Sequence, residues 1–387
     1  MSRLADLINE LCPDGVEYKP LKELLRIRNG RDYKLLSSGT VPVYGSGGVM
    51  THVSEAIGFG PTVLIPRKGS LDNVFFVEGP FWTVDTIFYT EIGPEVKPKY
   101  LYYNLKRMRL SQMNEAAGVP SMNQKKLGQI RIPIPPLEVQ CEIVRILDQF
   151  TTLEAELEAE LEARRAQYEY YRNQLLSYDA LASRGPVEWV KLRDIGVWSG
   201  GGTPSKARDD FWVGGEIPWI TPKDMRSSHI ASSEICVTKD GVLGSSIKLI
   251  KAPSIAIVVR SSILQHTLPI AQIDVDATFN QDMKVLTVYD SDFERQFIYY
   301  ALCANAQEIL SQVSKQGGSV NSLIVPKLMN FKIAVPDSFE QVRLANVLNE
   351  FDALVNDISS GLPAEIAARR AQYEYYRDRL LSFPEKK

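Results

Sequence analysis

Apolar residues recur along this chain in two alternating rhythms. From Ile146 through Phe150, Leu153 and Leu157 the steps are four, three and four, the seam of one helix packed on another. The stretch "LEAELEAELEA" then repeats every four residues, so Leu153, Leu157 and Leu161 form a local stutter in the heptad pattern. The seam resumes at Arg164, Tyr168, Tyr171 and Leu175. A second helical stretch carries Leu344, Leu348, Phe351, Val355 and Ile358, breaks at "SSGLPAE", and continues through Ile366, Arg369, Tyr373, Tyr376 and Leu380. Gly361 and Pro363 end one helix there and begin the next, with proline in a favoured first-turn position.

Elsewhere the pattern changes to short apolar runs separated by glycine-rich turns. Residues 62–92 predict strands at Val63–Pro66, Val74–Val77 and Thr86–Thr90, and residues 254–288 are their counterpart. Each group is followed by a predicted helix, at 98–116 and 293–314, and then by a polar loop at 117–126 and 315–327.

The two helical stretches are copies. "ARRAQYEYYR" stands at 163–172 and again, identically, at 368–377. Upstream, "IRIPIPPLEVQCEIVRILDQF" (130–150) aligns with "FKIAVPDSFEQVRLANVLNEF" (331–351); downstream, "RNQLLSY" matches "RDRLLSF". A weaker echo opens each half, "VEYKPLKELL" (16–25) and "VEWVKLRDIG" (187–196). The second copy is four residues longer between Phe351 and Ala368 than the first is between Phe150 and Ala163. A repeat of this extent decides the architecture before any single motif does.

The leucines read as a scaffold of packed helices. Tyr168, Tyr170 and Tyr171 cover too wide an arc to share one seam, so part of each decamer must face outward or toward another element. Exposed Tyr and Arg are the residue types that anchor interfaces. Two such faces predict two copies of one partner. Arg164, Tyr168, Tyr171 and Arg172 would form the first face, and Arg369, Tyr373, Tyr376 and Arg377 the second. Packing within the chain is the alternative.

Composition is that of a globular protein of two or three domains: 387 residues, 44% hydrophobic, 24% charged. The net charge of −3 conceals a segregation. Residues 16–142 carry 16 Lys and Arg against 12 Asp and Glu, whereas residues 143–180 carry 4 against 8. The acid thus lies in the helices, and the first loop-rich part is basic, a pattern compatible with nucleic acid. Cys12, Cys141, Cys236 and Cys303 have no metal-ligand spacing, no stretch is apolar enough to span a bilayer, and the N-terminus is no signal peptide. A cytoplasmic protein without a membrane partner is expected.

Polar loops are where bases would be read, since they offer Gly for close approach, Lys and Arg for phosphates, and Asn, Gln and Arg for base edges. In the first half the candidates are Ser46, Gly47, Arg67, Lys68 and Ser70, then Trp82, Asn123, Lys125 and Lys126. In the second half they are Thr203, Ser205, Lys206, Thr221 and Lys223, then Arg260, Ser261, Gln281 and Ser319.

The order of parts resembles the specificity subunits of Type I restriction–modification systems. The residues that carry the resemblance are the paired decamers, "RIPIPPLEVQ" and "KIAVPDSFEQ", "GLPAEI" and "VEWVKLRDIG". The resemblance implies an α+β chain: two mixed α/β target-recognition domains (1–142 and 181–345) alternating with two long antiparallel coiled-coil helical regions (143–180 and 346–387), related by an internal pseudo-two-fold repeat. It further implies that each domain binds one part of a bipartite double-stranded DNA site and that the helices set the spacer. Two methyltransferase subunits and two restriction subunits, translocating nucleases, would be partners. No cofactor would belong to this chain; the methyltransferases would use S-adenosylmethionine, and the restriction subunits ATP with Mg.

The rival class is an enzyme, and its parts are missing from the sequence. No GxxxxGK[ST] phosphate loop occurs. "GFGP" is not followed by the Asn/Asp-Pro-Pro-aromatic tetrapeptide that base-amino methylation wants. "EVK" (95–97) with Asp85 only loosely matches a metal-dependent nuclease set, and His52, His229 and His266 have no partner cluster. A scaffold that never touches DNA is the remaining alternative, and it leaves two unlike loop-rich domains unexplained.

Overall fold

The computed structural model describes residues 2–114, 120–315, 320–356 and 361–386. They fall into two compact units, Met1–Glu158 with Ile366–Lys387, and Ala159–Glu365. Each unit is tied at its base by its own copies of the weaker echoes. In the first, Glu17–Pro20 pairs antiparallel with Arg131–Ile134, Tyr18 opposite Pro133. In the second, Val187–Lys191 pairs antiparallel with Lys332–Pro336, Trp189 opposite Ala334. The opening segments are therefore strands, and their partners are the lead-ins to the helices.

Above each tie the sheets differ. The first unit has one four-stranded sheet ordered 25–29, 87–92, 62–66, 75–77 and another ordered 48–53, 38–45, 80–83, 58–59. The second has a five-stranded sheet ordered 196–200, 283–288, 254–258, 270–273, 229–230, and a three-stranded one ordered 236–237, 217–220, 278–279. At the centre of each core lies a continuous apolar run, Thr62–Pro66 or Ser254–Val258, buried at every residue. Such a run has no solvent face to alternate with.

A glutamine latches each lead-in helix to the helix that follows the sheets. Gln140 Oε1 accepts the Lys97 N–H at 2.8 Å, and its Nε2 donates to the carbonyls of Pro135 and Glu95. Gln341 Oε1 accepts the Glu294 N–H at 2.9 Å, and its Nε2 donates to Pro336. Tyr103 and Tyr300 add hydroxyl donations to Asp148 and Asn349 at 2.6 and 2.8 Å.

Several boundaries differ from the sequence expectation. The long helix begins at Leu137 rather than 143 and runs 39 residues to Leu175. The helix expected over 98–116 stops at Arg107 and resumes as a single 3₁₀ turn, Leu110–Met113. Arg109, at φ 46°, breaks it. The helix expected over 293–314 is two, Arg295–Ala304 and Ala306–Val313, divided at Asn305. The compact units also divide the chain inside the helical regions, not at 142 and 345.

The helices exchange partners. In the first unit Phe150 stacks on Tyr376 at 5.7 Å and lies 6.3 Å from Tyr373, while Arg370 pairs with Glu154 at 2.5 Å and also with Glu158. Ascending numbers on one helix meet descending numbers on the other, so the pair is antiparallel. In the second unit Tyr168 is buried in the core that contains Leu344, Leu348 and Val355. Each lead-in helix is thus covered by the decamer of the other copy.

The seam departs from the predicted one by a residue. It passes through Tyr168, Arg172 and Leu176, and through Tyr373, Arg377 and Leu381, with Tyr171 exposed. Leu161 to Tyr168 and Ile366 to Tyr373 are each one heptad; the four-residue steps come only after the tyrosines, at Arg172 and Leu176 and at Arg377 and Leu381. Arg172 lies over the Tyr168 ring at 5.7 Å, and Arg377 over the Tyr373 ring at 5.6 Å.

Among the described residues the Tyr373 hydroxyl has no hydrogen-bond partner, and burial pushes its pKa up to about 12. The ring therefore contributes as a neutral hydrophobic body. Tyr373→Phe is expected to hold or raise the melting temperature, whereas Tyr373→Ala should cost about 3–5 kcal/mol. A marked loss with phenylalanine in thermal melting would contradict this packing.

Candidate nucleic-acid interface

In the first unit four of the predicted loops meet at one end of the strands. The Val84 N–H donates to Tyr44 O at 3.0 Å, and the Arg67 N–H to Thr86 O at 2.8 Å. The Met122 N–H donates to Arg67 O at 2.8 Å, and Asn73 Nδ2 to Ser46 O at 3.1 Å. Gly69 takes φ +81°, and a Cβ there would come within 3.1 Å of Ser46 Oγ, so this crossing needs glycine. Gly47, Lys68, Ser70 and Lys125 are exposed, and Ser46 and Arg67 are half-buried, with Arg67 stacked over Phe88 at 5.7 Å.

Three candidates of this half are engaged within the loops, Trp82 buried, Lys126 half-buried and Asn123 exposed. Trp82 is buried and donates its Nε1–H to Arg31 O at 2.9 Å. Asn123 caps the helix Gln124–Gln129 by accepting the Lys126 N–H at 2.8 Å. Lys126 Nζ reaches back to Met113 O at 2.5 Å. The hydrogen bonds of these side chains shape the loops.

The second unit gathers its loops in the same manner. The Gly202 N–H donates to Phe279 O at 2.9 Å, and Thr203 Oγ1 to Gln281 Oε1 at 2.5 Å. The Asn280 N–H donates to Ile220 O at 3.0 Å, and the Ser261 N–H to Asn321 O at 3.0 Å. A Cβ on Gly201 would stand 1.9 Å from Asn280 O, so the backbones can approach only at glycine. Thr203, Ser205, Lys206, Lys223, Arg260 and Gln281 are exposed. Half-buried Thr221 instead donates its hydroxyl to Asp224 at 2.8 Å, and Ser261 caps the short turn that follows it. Ser319 lies outside the described residues.

The decamers separate into two sets. Tyr168, Tyr373 and Arg377 are buried in their own units, and Arg172 is half-buried with a long contact to Cys303 O at 3.5 Å. Burial of the Tyr168 ring also drives its hydroxyl pKa upward, with the Asp352 charge adding to the effect. These residues close the core and offer no outer face. Tyr376 is half-buried against Phe150, whereas Arg369 and Arg164 are exposed, the latter paired with Glu160 at 2.7 Å. The outer faces carry two tyrosines that the seam argument passed over, Tyr170 and Tyr375, each 60% exposed.

The duplicated chain has counterparts among known proteins. The profile of the Type I restriction modification DNA specificity domain matches residues 13–163 and 185–368. The chain belongs to this family. It is 50% identical over 295 residues to a Type I restriction enzyme specificity subunit of Escherichia coli, spanning 74% of this chain and 71% of that one. It is 28% identical over 398 residues to a putative type I restriction enzyme specificity subunit of Haemophilus influenzae, covering 95% and 96% of the two chains. A solved chain from a type I restriction–modification system shares the fold, with TM-score 0.57, 17% identity, and coverage of 95% and 98%.

The protein is thus the DNA sequence-recognition subunit of a Type I restriction–modification system, and specificity subunits of these systems are non-catalytic. Among the described residues no group of three or more His, Cys, Asp or Glu could hold a metal ion, and no helix is long and apolar enough to cross a membrane.

Lys125 is exposed on the first loop cluster and is of the residue type that pairs with phosphates. Lys125→Ala is expected to weaken binding evenly across DNA sequences and to lower the salt slope by about 1. Asn123→Ala should instead cost about 1 kcal/mol of stability through the lost cap. Titrating the assembled complex at several salt concentrations, alongside thermal melting, separates the two.

Proposed function

We propose that each unit reads one part of a split DNA target, while the helical repeats set the spacer and seat two methyltransferase subunits. The observation that carries this reading is one loop cluster and one decamer per unit, both held by elements that recur in the repeat. Ser and Lys stand outward in each cluster, with Gly47 beside them in the first and Arg260 and Gln281 in the second, where close backbone approach, phosphate contact and base reading would be needed together.

The docking role draws its support from the local identity of the decamers. Tyr170 meets Tyr171 at 5.4 Å and 73°, and Tyr375 meets Tyr376 at 5.4 Å and 72°. The same edge-on aromatic pair is presented twice, which suits two copies of one partner. Tyr170, Tyr171 and Tyr375, with Arg164 and Arg369 beside them, form this surface; the buried Tyr168 and Tyr373 stand behind it. The methyltransferases would bring S-adenosylmethionine. Two translocating restriction subunits would bring ATP with Mg, acting with this chain on double-stranded DNA in the cytoplasm.

The spacer role follows from the tetrads. Deleting Glu154–Leu157 shortens the helix by about 6 Å, one or two base pairs of duplex. The deletion brings Glu158 to the place of Glu154 opposite Arg370, so the helical pairing survives. The methylated motif, read by sequencing genomic DNA from cells carrying the deletion, should keep both half-sites and lose spacer length. An unchanged spacer contradicts the role. Replacing Tyr170 and Tyr171 with alanine should leave one methyltransferase per complex in native mass spectrometry, and adding Tyr375→Ala should leave none; full occupancy would place docking elsewhere.

A further inference from the structure

The two loop clusters share one backbone frame. In the first unit the N–H groups of Arg67 and Lys68 both donate to Thr86 O, at 2.8 and 3.3 Å, and Lys68 bridges antiparallel to Ser121. In the second the N–H groups of Val259 and Arg260 both donate to Asp282 O, at 2.8 and 3.3 Å, and Arg260 bridges antiparallel to Ser322. The next contact also corresponds, Met122 N–H to Arg67 O and Leu323 N–H to Val259 O, each at 2.8 Å. Lys68 with Thr86 therefore stands where Arg260 with Asp282 stands.

The side chains on this frame differ in kind. Asp282 Oδ1 accepts from Arg260 Nε at 2.5 Å, and Oδ2 accepts from Asn280 Nδ2 at 3.1 Å. The Asp282 N–H donates in turn to Asn280 Oδ1 at 3.0 Å, so the carboxylate is held on both sides. The Asp282 side chain is 20% exposed and the Arg260 side chain 53%. Among the described residues the two terminal nitrogens of Arg260 have no hydrogen-bond partner. Arg28 with Glu91 and Arg208 with Asp210 differ, because each spends Nε and a terminal nitrogen on its carboxylate.

An acidic neighbour is a poor companion for a phosphate contact, since it repels the phosphate that the arginine would attract. It is a good companion for base reading. A guanidinium pinned at Nε presents its two terminal amino groups as a planar fork, which matches O6 and N7 of guanine in the major groove. Lys68 offers a point charge without a directional fork, and Thr86 has no carboxylate to aim it.

We infer that Asp282 is a positioning residue that aims Arg260 at a guanine in the half-site of the second unit. Positions 68 and 86 are the corresponding reading pair of the first. This rests on the reading that each loop cluster faces DNA.

The test uses the assembled complex. The wild-type motif is taken from the methylated sites of genomic DNA in cells carrying the system, and the same is done with Arg260→Lys and Asp282→Asn. Both variants should relax the motif at one and the same G·C position in one half-site. Their affinity for a duplex carrying the wild-type motif should fall about tenfold to a hundredfold. Affinity for an unrelated duplex of equal length should hardly change, which also controls for folding and assembly. An intact motif with full affinity in both variants overturns the inference, as does an equal loss on both duplexes, the signature of a phosphate contact. Amide exchange over 259–282, with and without the duplex, separates the two ways to fail. Protection with an intact motif leaves the loops on DNA and refutes the pair; no protection refutes the placement of the cluster itself.

Discussion

Each lead-in helix must bury an apolar face, and neither is covered by the decamer that follows it in sequence. The first decamer continues the same helix as its own lead-in, from Leu137 to Leu175, and a helix cannot fold back on itself. The face is covered instead by the decamer of the other copy: Tyr373 and Tyr376 against Phe150, and Tyr168 within the core of Leu344, Leu348 and Val355. Because each decamer serves the lead-in of the other half, both must fit one kind of surface. That gives a physical reason for ten identical residues within otherwise divergent halves. The stacked pairs Arg172–Tyr168 and Arg377–Tyr373, at 5.7 and 5.6 Å, show how closely the two fits agree.

What repeats beside the decamers is whatever closes a unit: the base strands paired at Tyr18–Pro133 and Trp189–Ala334, and the Gln140 and Gln341 latches. What varies is the sheets and the loops they carry. A frame closed at its base leaves the far loops free to change without disturbing the helices. The shared backbone cradle of Lys68 and Arg260 is where constancy and change meet, since the amide contacts agree and the side chains do not. A subunit that does no chemistry needs only this, a rigid mount and an exchangeable reading surface.

Much of the architecture was legible because the repeat is written in the chain itself. The decamers, the lead-ins and the turns at 67–70 and 260–262 could be located without coordinates, whereas 43–52 is mostly the strand pair 38–45 and 48–53. Which copy packs on which could not, because identical segments carry no label of their partner. Tyr168 and Tyr373 stand on both the expected seam and the expected partner face, and burial decides for the seam; past them the expected line runs through Tyr171 and Tyr376, one residue short of Arg172 and Arg377. Trp82, Asn123 and Lys126 were assigned outward for their type alone, although their hydrogen bonds point back to Arg31 and Met113 and into the start of a helix. Asp282, next to the candidate Gln281, is not marked by sequence because an acidic residue is a poor guess at a DNA surface. Only its contact with Arg260, 22 positions away, gives it a role.

The most direct test of two closed, separately reading units is to exchange residues 187–336 for the matching segment of a relative with a different DNA target, leaving both decamers and the long helix intact. Sequencing the methylated sites of cells carrying the chimera should show one half-site replaced, with the other half-site and the spacer unchanged. A motif altered in both halves, or a changed spacer with the original half-sites, would contradict the account.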